Sequence, residues 1–216
     1  MKSKRGDSKN NEFRGNTLIF DLGGVAVFYD QIIAAKKLQP ILNVPAKRIS
    51  EILSSNTNSF INAMEKGKSP RVYLRILAEE LGIKKVPYKE FKKAWNSIFW
   101  PNKELLLLLV LLKRKYNLVL LSNLGKIHKQ YLSKEYHLNY LFKKRIFSYQ
   151  VHARKPEPEI FKLTLKKLKL SGNQVLFIDD KPENIQGAKK LGINSILFKN
   201  NKDLIKQLTN LGVSFK

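Results

Sequence analysis

Several apolar, β-branched or aromatic runs in the 216-residue chain end on polar residues that could do chemistry. Asp21 follows Thr17-Leu18-Ile19-Phe20, Ser122 and Asn123 follow Leu118-Val119-Leu120-Leu121, and Asp179 and Asp180 follow Val175-Leu176-Phe177-Ile178. A short segment, His152-Ala153-Arg154-Lys155-Pro156-Glu157-Pro158, adds the cation Lys155. A carboxylate at the end of a buried run is costly unless it has partners. Taken singly, each of these residues reads as the cap of a following helix. Together, on one edge of one sheet, they read as a site.

Their chemistry is complementary. Three carboxylates held close repel one another, and a hard cation such as Mg²⁺ relieves that repulsion while holding a phosphate oxygen. A carboxylate left exposed beside the metal can attack phosphorus and form an aspartyl-phosphate. Lys155 would neutralise that nucleophile and the phosphoryl oxygens, since unit charges about 4 Å apart are worth about 4 kcal/mol at an effective dielectric of about 20. The Ser122 hydroxyl and nearby backbone N–H groups would donate to the remaining oxygens.

Such a set needs a sheet to carry it. Residues 17–21, 118–123, 175–180 and 195–198 read as buried strands, and 145–149 as a weaker fifth. Helical patterns separate them at 102–115, 125–134, 158–170, 182–191 and 202–211. Strands alternating with helices imply right-handed crossovers and an α/β fold: a Rossmann-like parallel sheet with helices on both faces. In such sheets the chemistry lies at the carboxyl ends of the strands. The stretch 31–100 breaks the alternation, with amphipathic helical pieces at 45–53, 59–66, 70–81 and 88–99 and no convincing strand. It reads as a small all-helical cap over a core formed by 16–30 and 101–216, behind a basic, disordered tail at 1–15.

Composition bounds the rest. The chain has no Cys, which excludes a disulfide scaffold and thiolate metal sites. Its basic start is not followed by the apolar stretch of a secretory signal, and the run 105–112 is too short to span a bilayer. A soluble, cytoplasmic protein with no membrane partner is the expectation, as a monomer or weak dimer. Lys and Arg number 41 against 17 Asp and Glu, a formal charge of +24. Because the lysines are spread along the chain and not gathered in one block, nucleic-acid binding is expected to be non-specific.

The ordered motifs resemble those of the haloacid dehalogenase superfamily. Ile19-Phe20-Asp21-Leu22-Gly23-Gly24-Val25 is similar to its first motif and Leu121-Ser122-Asn123 to its second. Arg154-Lys155-Pro156-Glu157-Pro158 is similar to the third, and Phe177-Ile178-Asp179-Asp180-Lys181-Pro182-Glu183-Asn184 to the fourth. Within the superfamily, the Asp-Leu-Gly start, the Arg-Lys-Pro loop and Glu65-Lys66-Gly67 in the cap resemble the bacterial group around α-D-glucose-1-phosphate phosphatase. The resemblance implies a Mg²⁺-dependent phosphatase with Asp21 as nucleophile and a small phosphorylated metabolite, a sugar phosphate, as substrate. It places the metal on Asp21, the Gly23 carbonyl and Asp180, with Asp179 beside them. Ser122 and Lys155 become catalytic phosphate binders, with Asn123 and Gly24 also at the substrate, and Asn184 supports the site from behind.

One departure stands out. Most phosphatases of this superfamily carry a second Asp two residues after the nucleophile as general acid and base, and here that position is Gly23. Losing a general acid costs about 10²- to 10⁴-fold in rate. A hemiacetal leaving group escapes part of that loss. Asp30 or a water could supply the proton, or Asp30 could simply cap the first cap helix. Gly23 could also be demanded by a backbone conformation that a β-carbon disfavours. A dehalogenase would need no such proton but has no use for the Asp179-Asp180 pair. A non-catalytic nucleic-acid binder on the same scaffold would have no use for Asp21, Lys155 and Asp180.

Overall fold

The structure is a computed structural model and describes residues 12–55 and 59–215. Its centre is a parallel sheet of five strands: β1 (Thr17–Phe20), β4 (Asn117–Ser122), β5 (Lys144–Phe147), β6 (Val175–Asp179) and β7 (Asn194–Leu197), in the order β5-β4-β1-β6-β7. Alternation along the strands explains why both faces are covered. Leu18, Phe20, Leu118, Leu120, Leu176 and Ile178 join one core cluster, whereas Ile19, Val119, Leu121, Val175 and Phe177 join the other. On the first face pack α6 (Lys103–Leu112), α7 (Lys126–Glu135) and α12 (Asn201–Asn210); on the second pack α10 (Pro158–Leu168) and α11 (Pro182–Lys189). The chain leaves β1 for β4 on one side and later reaches β6 on the other, so a crevice opens at the carboxyl end of β1.

A second body of helices has its own core. It comprises α1 (Gln31–Leu42), α2 (Ala46–Ser54), α3 (Ser59–Glu65), α4 (Pro70–Leu81) and α5 (Tyr88–Asn96). Phe60 is fully buried at its centre and meets Tyr73, Phe91 and Trp95 edge-on. This is the helical cap. The fold is therefore α/β and Rossmann-like, with the cap that the sequence implied.

The elements differ from expectation in four places. Helix α1 was not anticipated because Pro40 lies inside it, a residue that normally ends a helix. The helix expected over 88–99 stops at Asn96, and Phe99–Pro101 forms a strand, β3, antiparallel to β2 (Val27–Tyr29). This hairpin ties the two ends of the cap together. The weak strand expected at 145–149 is β5 at Lys144–Phe147, after which the chain turns into a short helix, α9 (Ser148–Val151).

Of the basic tail expected at 1–15, residues 1–11 lie outside the described residues. Residues 12–15 lie on the core, where the Phe13 N–H donates to the Leu211 carbonyl at 2.9 Å and the Phe13 ring packs on the sheet cluster. Among the described residues no helix is long and apolar enough to cross a membrane.

Candidate active site

The sheet brings the sequence-selected residues together at the carboxyl ends of β1, β4 and β6. Asp21, Ser122, Lys155 and Gly23 line one cavity. Asp21, Asp179 and Asp180 each offer a carboxylate oxygen, and the three oxygens lie within 4.8 Å of one another.

Lys155 is the hub. Its Nζ is buried and reaches Asp179 Oδ2 at 2.6 Å, Asp21 Oδ1 at 2.8 Å and the Leu121 carbonyl at 2.9 Å. Burial works against its charge, but Asp179 and Asp21 outweigh that and hold its pKa above the ordinary lysine value. Burial pushes Asp21 up to about 7; Lys155 opposes that rise, while Asp179 and Asp180 add to it. Asp180 is raised as well, first by burial and then by Asp179. The repulsion argued from sequence is thus present: two of the three carboxylates are held away from their charged state, a need that a cation answers.

The three carboxylates differ in what they already hold. Asp179 is fully buried and fully engaged: Oδ2 accepts from Lys155, and Oδ1 accepts from the Lys181 N–H and from Asn184 Nδ2, each at 2.9 Å. Asp180 Oδ1, by contrast, is buried with no hydrogen-bond partner among the described residues. Gly24 makes room for it. Its φ is +79°, and a β-carbon there would fall inside the Asp180 carboxylate, so both conformation and space require glycine.

Asn123, expected among the substrate binders, lines the cavity and also holds the lysine loop. Its Nδ2 donates to the Lys155 carbonyl and its Oδ1 accepts from the Lys155 N–H, both at 2.8 Å. The side chain thus clamps the lysine loop with one bond at each end, and keeps a second N–H and a second lone pair at the cavity wall. Ser122 is a buried residue at the cavity wall, and its hydroxyl has no partner among the described residues. Neither residue caps α7, whose N-cap is Gly125.

Asp30 is exposed, and its Oδ1 accepts from the Ile32 N–H at 2.9 Å, so it is the cap of α1 and not a group at the cavity. Gly23 does not have a positive φ, so backbone conformation is not what demands glycine there. Space does: a β-carbon on Gly23 would lie 2.9 Å from Tyr29 Cε1.

The cap closes the cavity with Ile61, Met64, Glu65 and Trp95. Glu65 pairs with Arg154 at 2.8 Å between side chains that are 14% and 12% exposed, and Lys66 pairs with Glu157 at 2.7 Å. Burial raises the Glu65 pKa, with Arg154, Lys181 and Lys155 opposing it. The Glu-Lys-Gly segment thus grips the lysine loop from above. From the core side, His128 on α7 stacks on Trp95 with ring centroids 4.9 Å apart, and its Nε2 lies 3.0 Å from the Trp95 carbonyl. A carbonyl only accepts, so Nε2 carries the hydrogen. Burial drops the His128 pKa to about 3 and keeps the ring neutral. Sequence reasoning missed Tyr29 and His128. Their contacts, Tyr29 with Gly23 and His128 with Trp95, leave no short-range pattern.

Comparison with known proteins agrees with this geometry. A family model described as haloacid dehalogenase-like hydrolase matches residues 31–198, and the chain belongs to that family of hydrolases. It is 28% identical over 200 residues to a D-ribitol-5-phosphate phosphatase from Bacteroides thetaiotaomicron, covering 89% of this chain and 96% of that protein. A haloacid dehalogenase family enzyme from the same organism, solved with magnesium and inorganic phosphate, is 29% identical with a TM-score of 0.77, covering 88% of this chain and 98% of that one. A hydrolase of the same family type from Porphyromonas gingivalis shares the fold at 24% identity and a TM-score of 0.79, over 93% and 98% of the two chains.

Proposed function

We propose that the chain is a Mg²⁺-dependent phosphatase that hydrolyses a small phosphate monoester, a sugar phosphate, through an aspartyl-phosphate on Asp21. The observation that carries this reading is the cluster of Asp21, Asp179 and Asp180 around the buried Lys155, with one oxygen of Asp180 left unpartnered. The residues fit a hard cation: Asp21 and Asp180 supply carboxylate oxygens and the Gly23 carbonyl a neutral one. Asp179, its oxygens already engaged, serves by fixing Lys155. When bound, Mg²⁺ would neutralise the carboxylates and polarise a phosphoryl oxygen.

Lys155 and the Ser122 hydroxyl bind the phosphoryl oxygens; Gly24, expected at the substrate, does not line this cavity, and its N–H donates to the Val27 carbonyl at 2.8 Å. Asp21 attacks phosphorus, the bond to the bridging oxygen breaks, and the alcohol departs with a proton taken from a water. Water then attacks the aspartyl-phosphate, releasing phosphate and restoring the carboxylate. In this reading residues 31–100 are the cap, and 16–30 with 101–216 the catalytic core. The cap walls, apolar at Ile61, Met64 and Trp95, shield the site from bulk solvent. The substrate class draws support from the polyol phosphate named for the Bacteroides relative. A dehalogenase or a non-catalytic binder would give the unpartnered Asp180 oxygen nothing to do.

The test is phosphate release across a panel of sugar phosphates with Mg²⁺ and with a chelator, alongside Asp21→Asn as a folded control. Chelation should abolish release, and the variant should lose at least about a thousandfold. Metal-independent release of halide from a haloacid, or full activity in the variant, would sink the reading.

A further inference from the structure

Tyr29 is a polar group at the cavity to which the mechanism above gives no work. It ends β2, and Phe99 across the hairpin holds its ring at a centroid distance of 6.1 Å. The other side of the ring lies against Gly23, so closely that a β-carbon at 23 would be 2.9 Å from Cε1. Position 23 is two residues after the nucleophile, and the tyrosine ring occupies the space that a side chain from that position would need. Tyr29 lines the same cavity as Asp21, Ser122 and Lys155 at one end and Glu65 and Trp95 at the other. Its hydroxyl makes no hydrogen bond to any described residue.

We propose that Tyr29 contacts the substrate, its hydroxyl donating a hydrogen bond to the oxygen that joins phosphorus to the departing alcohol. This rests on the phosphatase reading. The site needs such a donor because the β1 loop supplies no side chain at 23. The position suits it as well, since the cavity extends from Asp21 and Lys155 to Glu65 and Trp95 of the cap, and Tyr29 lines it. A phenol keeps its proton at neutral pH, so the hydroxyl is a donor. A hydrogen bond to an oxygen that gains negative charge as the bond breaks is stronger in the transition state than in the ground state, so it raises kcat.

Tyr29→Phe keeps the ring over Gly23 and removes only the hydroxyl. The measurement is kcat and KM of variant and wild type on a sugar phosphate and on p-nitrophenyl phosphate, whose leaving group carries its charge without help. The loss in kcat on the sugar phosphate should exceed the loss on the aryl ester by about 10- to 100-fold, the worth of a hydrogen bond to a charged group. The melting temperature should not fall, because the hydroxyl has no protein partner to lose. Equal losses on the two esters, no loss on either, or a loss that tracks a lowered melting temperature would overturn the inference. If the wild type releases phosphate from neither ester, the phosphatase reading fails and takes this inference with it. Wild-type activity with an unchanged ratio in the variant removes the inference alone.

Discussion

Lys155 Nζ lies 2.6 Å from Asp179 and 2.8 Å from Asp21, so one buried ammonium is shared by carboxylates at the ends of two neighbouring strands. Asp179 is fully buried, and its other oxygen is held by the Lys181 N–H and Asn184. It fixes a cation beside Asp21 that would otherwise have to be bought with desolvation alone. Neighbouring residues at the end of one strand, Asp179 and Asp180, thus differ in partners: both Asp179 oxygens are bonded, whereas Asp180 Oδ1 has no partner among the described residues.

That division predicts different damage from similar substitutions. Asp180→Asn should raise the Mg²⁺ concentration for half-maximal activity tenfold or more, by about the effect of losing a metal contact, with little change in stability. Asp179→Asn should instead lower stability by about 3–5 kcal/mol, because it strips a buried lysine of its nearest counter-ion. Metal titrations paired with urea unfolding of each variant separate the two. Matching profiles for both variants would mean the carboxylates are interchangeable.

Gly23→Asp is the direct way to restore the side chain missing after the nucleophile, and the Tyr29 ring stands in its place. The single variant should lose activity and about 1–3 kcal/mol of stability through overpacking. Adding Tyr29→Ala should recover stability relative to the additive expectation, since neighbours in contact couple. A double-mutant cycle on unfolding free energy measures that coupling. Additive effects would mean that the ring yields freely and does not explain the glycine.

The contrast between Asp21 and Tyr29 shows what was legible in the chain. Asp21, Ser122, Asp179 and Asp180 end long apolar runs, so strand, strand end and polar residue could be read together. Lys155 could be placed only through its ordered motif, because the loop that carries it has no periodicity. Tyr29 gains its position from a strand only as long as Val27–Tyr29, paired with Phe99–Pro101 across the whole cap, and so short a pair leaves no local signature. Asn123 ends its run like the others and lines the cavity, but its second task, holding the Lys155 loop 32 residues on, leaves no local signature.

The charge of +24 calls for its own experiment. The cap covers the cavity and hinders a polymer, so a sugar phosphate should exceed a 5′-phosphorylated oligonucleotide in kcat/KM near physiological ionic strength. Oligonucleotide binding, where it occurs, should ignore sequence and weaken steeply with salt as counterions are released. A phosphorylated strand end that outcompetes the sugar phosphate at that salt would make the charge functional and the substrate class wrong.

His128 sets a pH dependence of stability whose sign follows from its burial. In the unfolded chain the imidazole titrates near 6.5, whereas in the folded protein burial drops it to about 3, with the Trp95 carbonyl opposing only in part. Below pH 6.5 the unfolded state therefore takes up a proton that the folded state refuses. Stability contributed by this group is intact above 6.5 and falls as the pH drops toward 3, by about 1.4 kcal/mol per unit once the unfolded imidazole is protonated. His128→Gln retains an N–H for the Trp95 carbonyl but cannot be protonated. Urea unfolding of both proteins at pH 7, 6 and 5 should show the wild type losing ground to the variant by about 1 kcal/mol or more between pH 6 and 5. Parallel profiles would mean that the imidazole is charged in the folded state. It would then have to carry that charge while stacked on Trp95 and set edge-on to Phe99, whose ring centroid lies 4.7 Å away.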